Sequence, residues 1–517
     1  MSNKIREVGQ GYFHSNPLSG FKSVFGDYIY YDLFDWGLIG AISEAPMLLI
    51  GDTDRGKTDF AKIIMTALFG EEENSWHKTN IDLDFGTMTY SGTDFSSINE
   101  GKNSDELFYE KAFLKYPGLV WDEPNRAPAK LLNKLIHILE KDFHLENGKK
   151  VLSGKEYKKE NGQKERYQYH ILAMNEGPDY HGTSMVDRAL RRRQTIEIPI
   201  DVFPTTMYDK KQMGEKRTGT LKIKNGEGHF EEVVNLLNSL ANIPISHEAE
   251  QLKLYFQSMS YCEGSLTKTK KGINFGEHIC TSKDSRADSE NTHRENSRAA
   301  CHYLASYPKR MCPNVYGITD GVSIRFGTIA RAHALVRALK TLELIARYIE
   351  AGKDTSGFDF KKMAAKNKIN SEFYENLASY TGLSSSLKNE LVPKFTEKYI
   401  NELKVEPCDF YSVLPFISFS KLELNPHWVE KEYQGSKWFA IKDMSKLAYD
   451  RITEFQRQYP EIFSGVVNGD KLSPSQAEDF EESCKNDIWL KQSLAAYNNS
   501  GLYSGNTNYE TVLGLLR

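Results

Sequence analysis

The chain has 517 residues, 39% hydrophobic and 26% charged, with a net charge of -4. That length accommodates two to four globular domains, and the charge supplies no global pull toward nucleic acid. No apolar run approaches the ~20 residues that span a bilayer, and the start Met1-Ser2-Asn3-Lys4-Ile5-Arg6 lacks the apolar stretch of a secretory signal, so a cytoplasmic location without membrane insertion is the expectation.

Residues 1–45 are rich in glycine and aromatics (Gly9-Gln10-Gly11-Tyr12-Phe13, Tyr28-Ile29-Tyr30-Tyr31) and are expected to wrap a nucleotide base. The apolar run Met47-Leu48-Leu49-Ile50 then delivers the chain to Gly51-Asp52-Thr53-Asp54-Arg55-Gly56-Lys57-Thr58, which fits the phosphate-loop pattern G-x-x-x-x-G-K-[ST] between a strand and a helix. In such a loop successive backbone N–H groups curl round phosphates and the positive end of the next helix faces them. Lys57 would reach the β- and γ-phosphates of a nucleoside triphosphate, and Thr58 would ligate Mg²⁺. Asp54 and Arg55 occupy the middle of the loop, where small residues are usual, and predict an altered nucleotide affinity.

A helix is predicted from Asp59 to Phe69, stopped by Gly70. Strand-like alternation returns at Ile81–Tyr90, followed by a Gly/Ser/Asn-rich insertion through Ser104. The run Tyr116–Trp121 predicts a strand ending in Asp122-Glu123, and Pro128–Leu145 predicts a helix with Leu131, Leu132, Leu135, Ile136 and Ile138 facing a core. Residues 146–168, with Asn147-Gly148 and Asn161-Gly162 turn signals, read as a polar hairpin or a solvated loop. Strands at Tyr169–Met174, ending at Asn175, and at Thr195–Ile200 complete an α/β pattern, a mostly parallel sheet covered by helices on both faces.

Beyond Phe203 the character changes. Residues 228–262 and 322–350 have helical periodicity around a polar stretch, Lys268–Arg298. The remainder is mixed, with helical stretches at Leu387–Leu403 and Met444–Gln458 and aromatic islands at Phe410–Phe419 and Trp438-Phe439. The expected division is a nucleotide-binding α/β domain at 1–205, a helical lid at 206–350 and a C-terminal region at 351–517 that binds a substrate or partner. Six cysteines (Cys262, Cys280, Cys301, Cys312, Cys408, Cys484) without C-x-x-C pairs read as reduced thiols, and the Cys/His cluster between Cys262 and Cys312, with His278, His293 and His302, fits no zinc spacing.

Transferring a γ-phosphate to water requires a held Mg²⁺, an oriented water and positive charge on the transition state. Asp122, at a strand end, can hold the Mg²⁺ shell with Thr58, and Glu123 can orient or deprotonate the water. Asn175 can contact the same water or the γ-phosphate, with a buried turn asparagine as the structural alternative. The run Asp187-Arg188-Ala189-Leu190-Arg191-Arg192-Arg193 is denser in arginine than a solvated helix requires, which suits bidentate contact with phosphate oxygens, although a surface ion-pair face would look similar.

Asp122-Glu123-Pro124-Asn125-Arg126-Ala127-Pro128-Ala129-Lys130 resembles the D-E-I-N-R-A-P-P-K signature of the MoxR branch of AAA+ ATPases, with Pro124 in place of isoleucine. Gly92-Thr93-Asp94 lies where that branch has its helix-2 insert, residues 146–168 where it has the pre-sensor-1 hairpin, and Asn175 at sensor 1. Gly321-Val322-Ser323-Ile324-Arg325 is similar to the G-A-S-P-R that opens the lid helix and carries the sensor-2 arginine. Met174-Asn175 followed by Ala189-Leu190-Arg191-Arg192-Arg193 is also similar to the McrB restriction GTPases, although Glu176–Thr183 departs from their pattern. The resemblance covers roughly residues 5–350.

It implies an ATP-hydrolysing AAA+ motor, a homo-oligomeric ring and most often a hexamer, that remodels or assembles a protein client, with a separate von Willebrand factor A-domain partner. It implies a nucleotide site between protomers. Gly51, Asp52, Thr53, Asp54, Arg55, Gly56, Lys57, Thr58, Asp59 and Asp122 would hold ATP, with Thr58 and Asp122 on Mg²⁺. Glu123, Asn175 and Arg325 would act in cis, and an arginine in trans, Arg192 before Arg191 or Arg188. The alternatives are a nucleic-acid-directed NTPase of the McrB kind and a nucleotide-gated scaffold that barely hydrolyses.

Overall fold

The computed structural model describes residues 20–22, 28–52, 55–72, 76–80, 90–93, 108–110, 112–126, 129–141, 143–144, 150–151, 153–159, 161–175, 196–203, 228–260, 314–315, 320–350, 403–419, 422–423, 429–430, 433–468, 473–476, 478–479 and 490. In chain order the elements are β1 (Gly20–Lys22), β2 (Tyr28–Tyr30), α1 (Leu33–Ile42), β3 (Met47–Ile50), α2 (Lys57–Phe69), β4 (Trp76–Asn80), β5 (Tyr90–Thr93), β6 (Phe108–Glu110), β7 (Gly118–Asp122) and α3 (Ala129–Leu139). Then come β8 (Phe143–His144), β9 (Lys150–Val151), β10 (Lys155–Lys158), β11 (Lys164–Tyr167), β12 (Tyr169–Met174), β13 (Ile196–Pro199), α4 (Phe230–Ser239), α5 (His247–Ser260), β14 (Asn314–Val315), α6 (Asp320–Glu350), α7 (Pro407–Ile417), β15 (Leu422–Glu423), α8 (Lys437–Gln458) and α9 (Pro460–Asn468).

Contacts group the chain into two compact units, Met1–Pro244 with Thr328–Lys404, and Ile245–Gly327 with Val405–Arg517. The first is built on a five-stranded sheet in the order β13-β3-β12-β7-β4. Every neighbouring pair in it is parallel. Parallel strands need covered faces, and the sequence meets that need: all residues of β3 and β12 are buried. Helix α2 packs on β4, β7 and β12. Its approach to β7 is close enough that a Cβ on Gly118 would lie 2.7 Å from Met65 Sδ and 2.8 Å from Phe69 Cδ2.

Helix α1 is buried along its whole length, and a capping box between Asp32 and Asp35 opens it. Asp35 also forms an ion pair of 2.7 Å with Lys340, with side-chain exposures of 2% and 9%. His333, earlier on α6, stacks on Tyr31 at 4.2 Å between ring centroids. The part of α6 in this unit is thereby fixed to α1. On β12, His170 is buried and its Nδ1 accepts a 3.1 Å hydrogen bond from Trp121 Nε1, which places the ring proton on Nε2. Burial pushes its pKa down to about 3.

One sequence expectation needs correction, and one strand went unsignalled. The helix predicted to run from Pro128 to Leu145 ends at Leu139, because Lys141 adopts a left-handed φ of 56° and the chain turns into β8, which pairs antiparallel with β9. The strand beside β7 is Trp76–Asn80, which the sequence did not signal, and residues 81–89 of the strand-like run Ile81–Tyr90 lie outside the described ones. Its polar Trp-His-Lys-Thr-Asn sequence concealed an edge strand anchored by a buried Trp76, whose Nε1 donates to Gly70 O at 2.9 Å. The hairpin expected within 146–168 is present as β10 and β11, turned at Asn161-Gly162. Asn147-Gly148 lies outside the described residues.

In the second unit α5, α7 and α8 pack together and α9 packs on α8. The aromatic island at 410–419 forms most of α7, where Phe410 meets Phe326 edge-on at 4.7 Å and Phe416 meets Trp438 at 5.4 Å. Among the described residues no helix is long and apolar enough to cross a membrane.

Candidate nucleotide site

The strand order decides which residues meet. Strand β12 lies between β3 and β7, with Met174 level with Ile50 and Ala173 level with Asp122. Asn175, the next residue, therefore stands at the carboxyl edge of the sheet between the loop that leaves β3 and the two acids that end β7. Open parallel sheets place ligands at that edge.

The loop after β3 turns on two glycines. Gly56 caps α2 with φ 77°, a left-handed conformation that a side chain would strain. A Cβ on Gly51 would lie 2.4 Å from Ile200 Cγ2. Lys57, the first residue of α2, folds its ammonium back into the loop. It donates to Gly51 O at 2.8 Å, to Asp52 O, and to Asn175 Oδ1 at 2.8 Å. Burial lowers its pKa, opposed by the negative charges of Asp52, Asp201, Glu123 and Asp122.

Thr58 Oγ1 donates to Asp122 Oδ1 at 3.0 Å, and Lys78 Nζ lies 2.6 Å from Asp122 Oδ2. Glu123 is held at both oxygens. Asn175 Nδ2 donates to Oε1 at 2.8 Å, and Arg126 Nε lies 2.8 Å from Oε2. Its backbone has a left-handed φ of 48°, and its N–H donates to Ala173 O at 2.7 Å. Asn125 is buried in the short turn after β7 and donates from Nδ2 to Asn175 O at 2.6 Å, which fixes the backbone from which the bridging amide projects.

Of the expected residues, Gly51, Asp52, Gly56, Lys57, Thr58, Asp122, Glu123 and Asn175 come together here. Asp59 lies in the first turn of α2, half-buried. Arg55 is exposed, with its Nε 3.4 Å from Asp201 Oδ1. Arg325 stands in the opening turns of α6, half-buried, in the second unit. Thr53, Asp54, Arg188, Arg191 and Arg192 lie outside the described residues, as does the Cys/His cluster from Cys262 to Cys312. Lys78, Asn125 and Arg126 had no role in the sequence reading. Asn125 and Arg126 stood within a recognised motif and could have been marked from it, whereas Lys78 on a polar edge strand gave no signal.

The residues fit the phosphates of a nucleotide and a divalent ion. Thr58 and Asp122 are hard oxygen donors on adjoining elements, and a lysine ammonium already rests on Asp122 as a cationic stand-in. The core is a phosphate-loop α/β fold. No protein-family model matches the sequence, and no curated protein matches it. Among solved structures the chain is similar to a protein from Cytophaga hutchinsonii described as a "putative ATPase", at 14% identity and a TM-score of 0.37, over 77% of this chain and 94% of that one.

Proposed function

We propose that this protein is an ATP hydrolase of the MoxR type within the AAA+ ATPases, working as an oligomeric ring that remodels or assembles a protein client. The observation that carries the hydrolase reading is the bridge from Lys57 Nζ through the Asn175 amide to Glu123 Oε1, two bonds of 2.8 Å, beside the 3.0 Å Thr58–Asp122 contact. It joins a phosphate-binding cation to a candidate base.

Lys57 would exchange its loop carbonyls for β- and γ-phosphate oxygens, which gives a partly desolvated ammonium anionic partners in place of neutral ones. Thr58 and Asp122 would hold Mg²⁺, whose charge offsets that developing on the γ-phosphate. Glu123 would accept the proton of the attacking water at a carboxylate oxygen, after release from Asn175 or Arg126. Asn175 would keep the carboxylate aligned with the γ-phosphate. Arg325, and Arg192 from a neighbouring protomer with Arg191 and Arg188 as substitutes, would place positive charge on the transition state. The ring, the client and a von Willebrand factor A-domain partner are part of this proposal through the family resemblance, and a cytoplasmic location belongs to it as well.

The test is phosphate release by the full chain with ATP and with GTP, beside Glu123→Gln. ATP turnover that drops at least about 100-fold in the variant, while an ATP analogue still binds, supports the reading. Turnover as low in the parent chain as in Glu123→Gln would turn it into a nucleotide-gated scaffold, and GTP-selective turnover would move it to the McrB kind.

A further inference from the structure

Lys78 stands on β4 level with Val120, and Asn80 is level with Asp122. Side chains two residues apart on a strand share a face, as do residues in parallel register, so Lys78, Val120 and Asp122 project to one side. That side carries α2, because Asp122 Oδ1 takes the 3.0 Å bond from Thr58 Oγ1. The lysine stem must climb two residues along the sheet, roughly 6–7 Å, to bring Nζ 2.6 Å from Asp122 Oδ2. With side-chain exposures of 29% and 25% the pair is largely withdrawn from water, and salt screens it weakly.

Both oxygens of Asp122 are thus engaged, one by the hydroxyl and one by the ammonium of this chain. A divalent ion arriving alone would have to displace Lys78 and would meet the like charge of Lys57 nearby. A nucleoside triphosphate arriving with the ion brings the negative charge that gives both ammonium groups new partners.

The geometry points to Lys78 as a built-in counter-cation of Asp122 that competes with Mg²⁺, so that the protein takes up the metal together with nucleotide and not before it. This inference rests on the ATP-binding reading above.

The experiment is a Mg²⁺ titration of the full chain with a fluorescent, slowly hydrolysed ATP analogue, read by anisotropy, and a calorimetric titration of Mg²⁺ alone. Relative to the parent chain, Lys78→Met is expected to lower the half-saturating Mg²⁺ concentration at least about fivefold and to make Mg²⁺ binding without nucleotide measurable. Lys78→Arg, which keeps the charge, is expected to stay within about twofold of the parent. An unchanged or raised half-saturating concentration in Lys78→Met overturns the inference while analogue binding by both proteins leaves the ATP reading standing. Failure of the parent chain to bind the analogue at any Mg²⁺ concentration overturns the ATP reading, and this inference with it. Should Lys78→Met lose its folded circular-dichroism spectrum, Lys78→Gln carries the same comparison with a neutral side chain that can still hydrogen-bond Asp122.

Discussion

Lys57 and Asn175, 118 positions apart in the chain, are joined by a 2.8 Å hydrogen bond from Nζ to Oδ1. The other end of the same amide donates to Glu123. A single short side chain therefore touches both the phosphate loop and the candidate base. Asn175→Ala is expected to lower ATP turnover about 100-fold while changing the Kd of an ATP analogue less than about threefold, because the amide aligns groups and contributes little to holding the nucleotide. Steady-state phosphate release and analogue binding check the two halves. Equal losses in both would make Asn175 a binding residue.

The ion pair between Asp35 and Lys340 is almost fully enclosed. Breaking such a pair from one side strands a charge, so Lys340→Met should lower unfolding free energy by about 3–5 kcal/mol. The double variant Asp35→Asn/Lys340→Met should recover more than half of that, since the carboxylate deprived of its ammonium is gone as well. Urea denaturation of the four proteins measures it. A double variant no better than Lys340→Met would mean that the lost packing, not the stranded charge, accounts for the damage.

His170 gives a pH signature. The unfolded chain takes up a proton at this side chain near the ordinary value of 6.5, but the native protein does not until about 3. Native stability from this residue is fully present above about 6.5 and is lost as pH falls toward 3, by about 2 kcal/mol between pH 7 and pH 5. His170→Gln, which keeps an acceptor for Trp121, should remove that part of the slope. Urea midpoints at the two pH values for both proteins provide the comparison, and parallel slopes would show that His170 protonates freely in the native state.

Much of the loop side of the candidate site was legible from the sequence. An apolar strand, Gly51 to Thr58 and an amphipathic helix form a local motif in which the chemistry and the backbone geometry are specified by the same few residues. Asp122, Glu123 and Asn175 were legible for a related reason, since each ends a short apolar run. The edge strand β4 was not. Trp76 to Asn80 has no alternation to read, because only Trp76 needs a dry environment and the rest are held by pairing with β7. Lys78 was missed along with it. The end of α3 was also misjudged: the apolar periodicity continues to Leu145, and only the left-handed turn at Lys141 stops the helix.

Gly118 marks where α2 comes closest to β7. The nearest atoms to an added Cβ, Met65 Sδ and two ring carbons of Phe69, lie at 2.7–3.0 Å, and both side chains are buried. Gly118→Ala should therefore destabilise by about 1–3 kcal/mol through overpacking, although alanine suits a strand better than glycine does. Thermal unfolding tests the sign. A stabilised variant would show that α2 can withdraw without loss.

The left-handed backbone of Glu123 sets stability against activity at one position. A residue with a Cβ is held there at a conformational disadvantage of about 1–2 kcal/mol, which glycine would not carry. Glu123→Gly should therefore outlast Glu123→Ala on heating by about 1 kcal/mol, although both lose the same carboxylate. A library screened for thermal tolerance alone would drift toward glycine at this site and discard the candidate base. Retention of an acidic residue in variants selected for turnover would then be a genetic readout of what the strain is for.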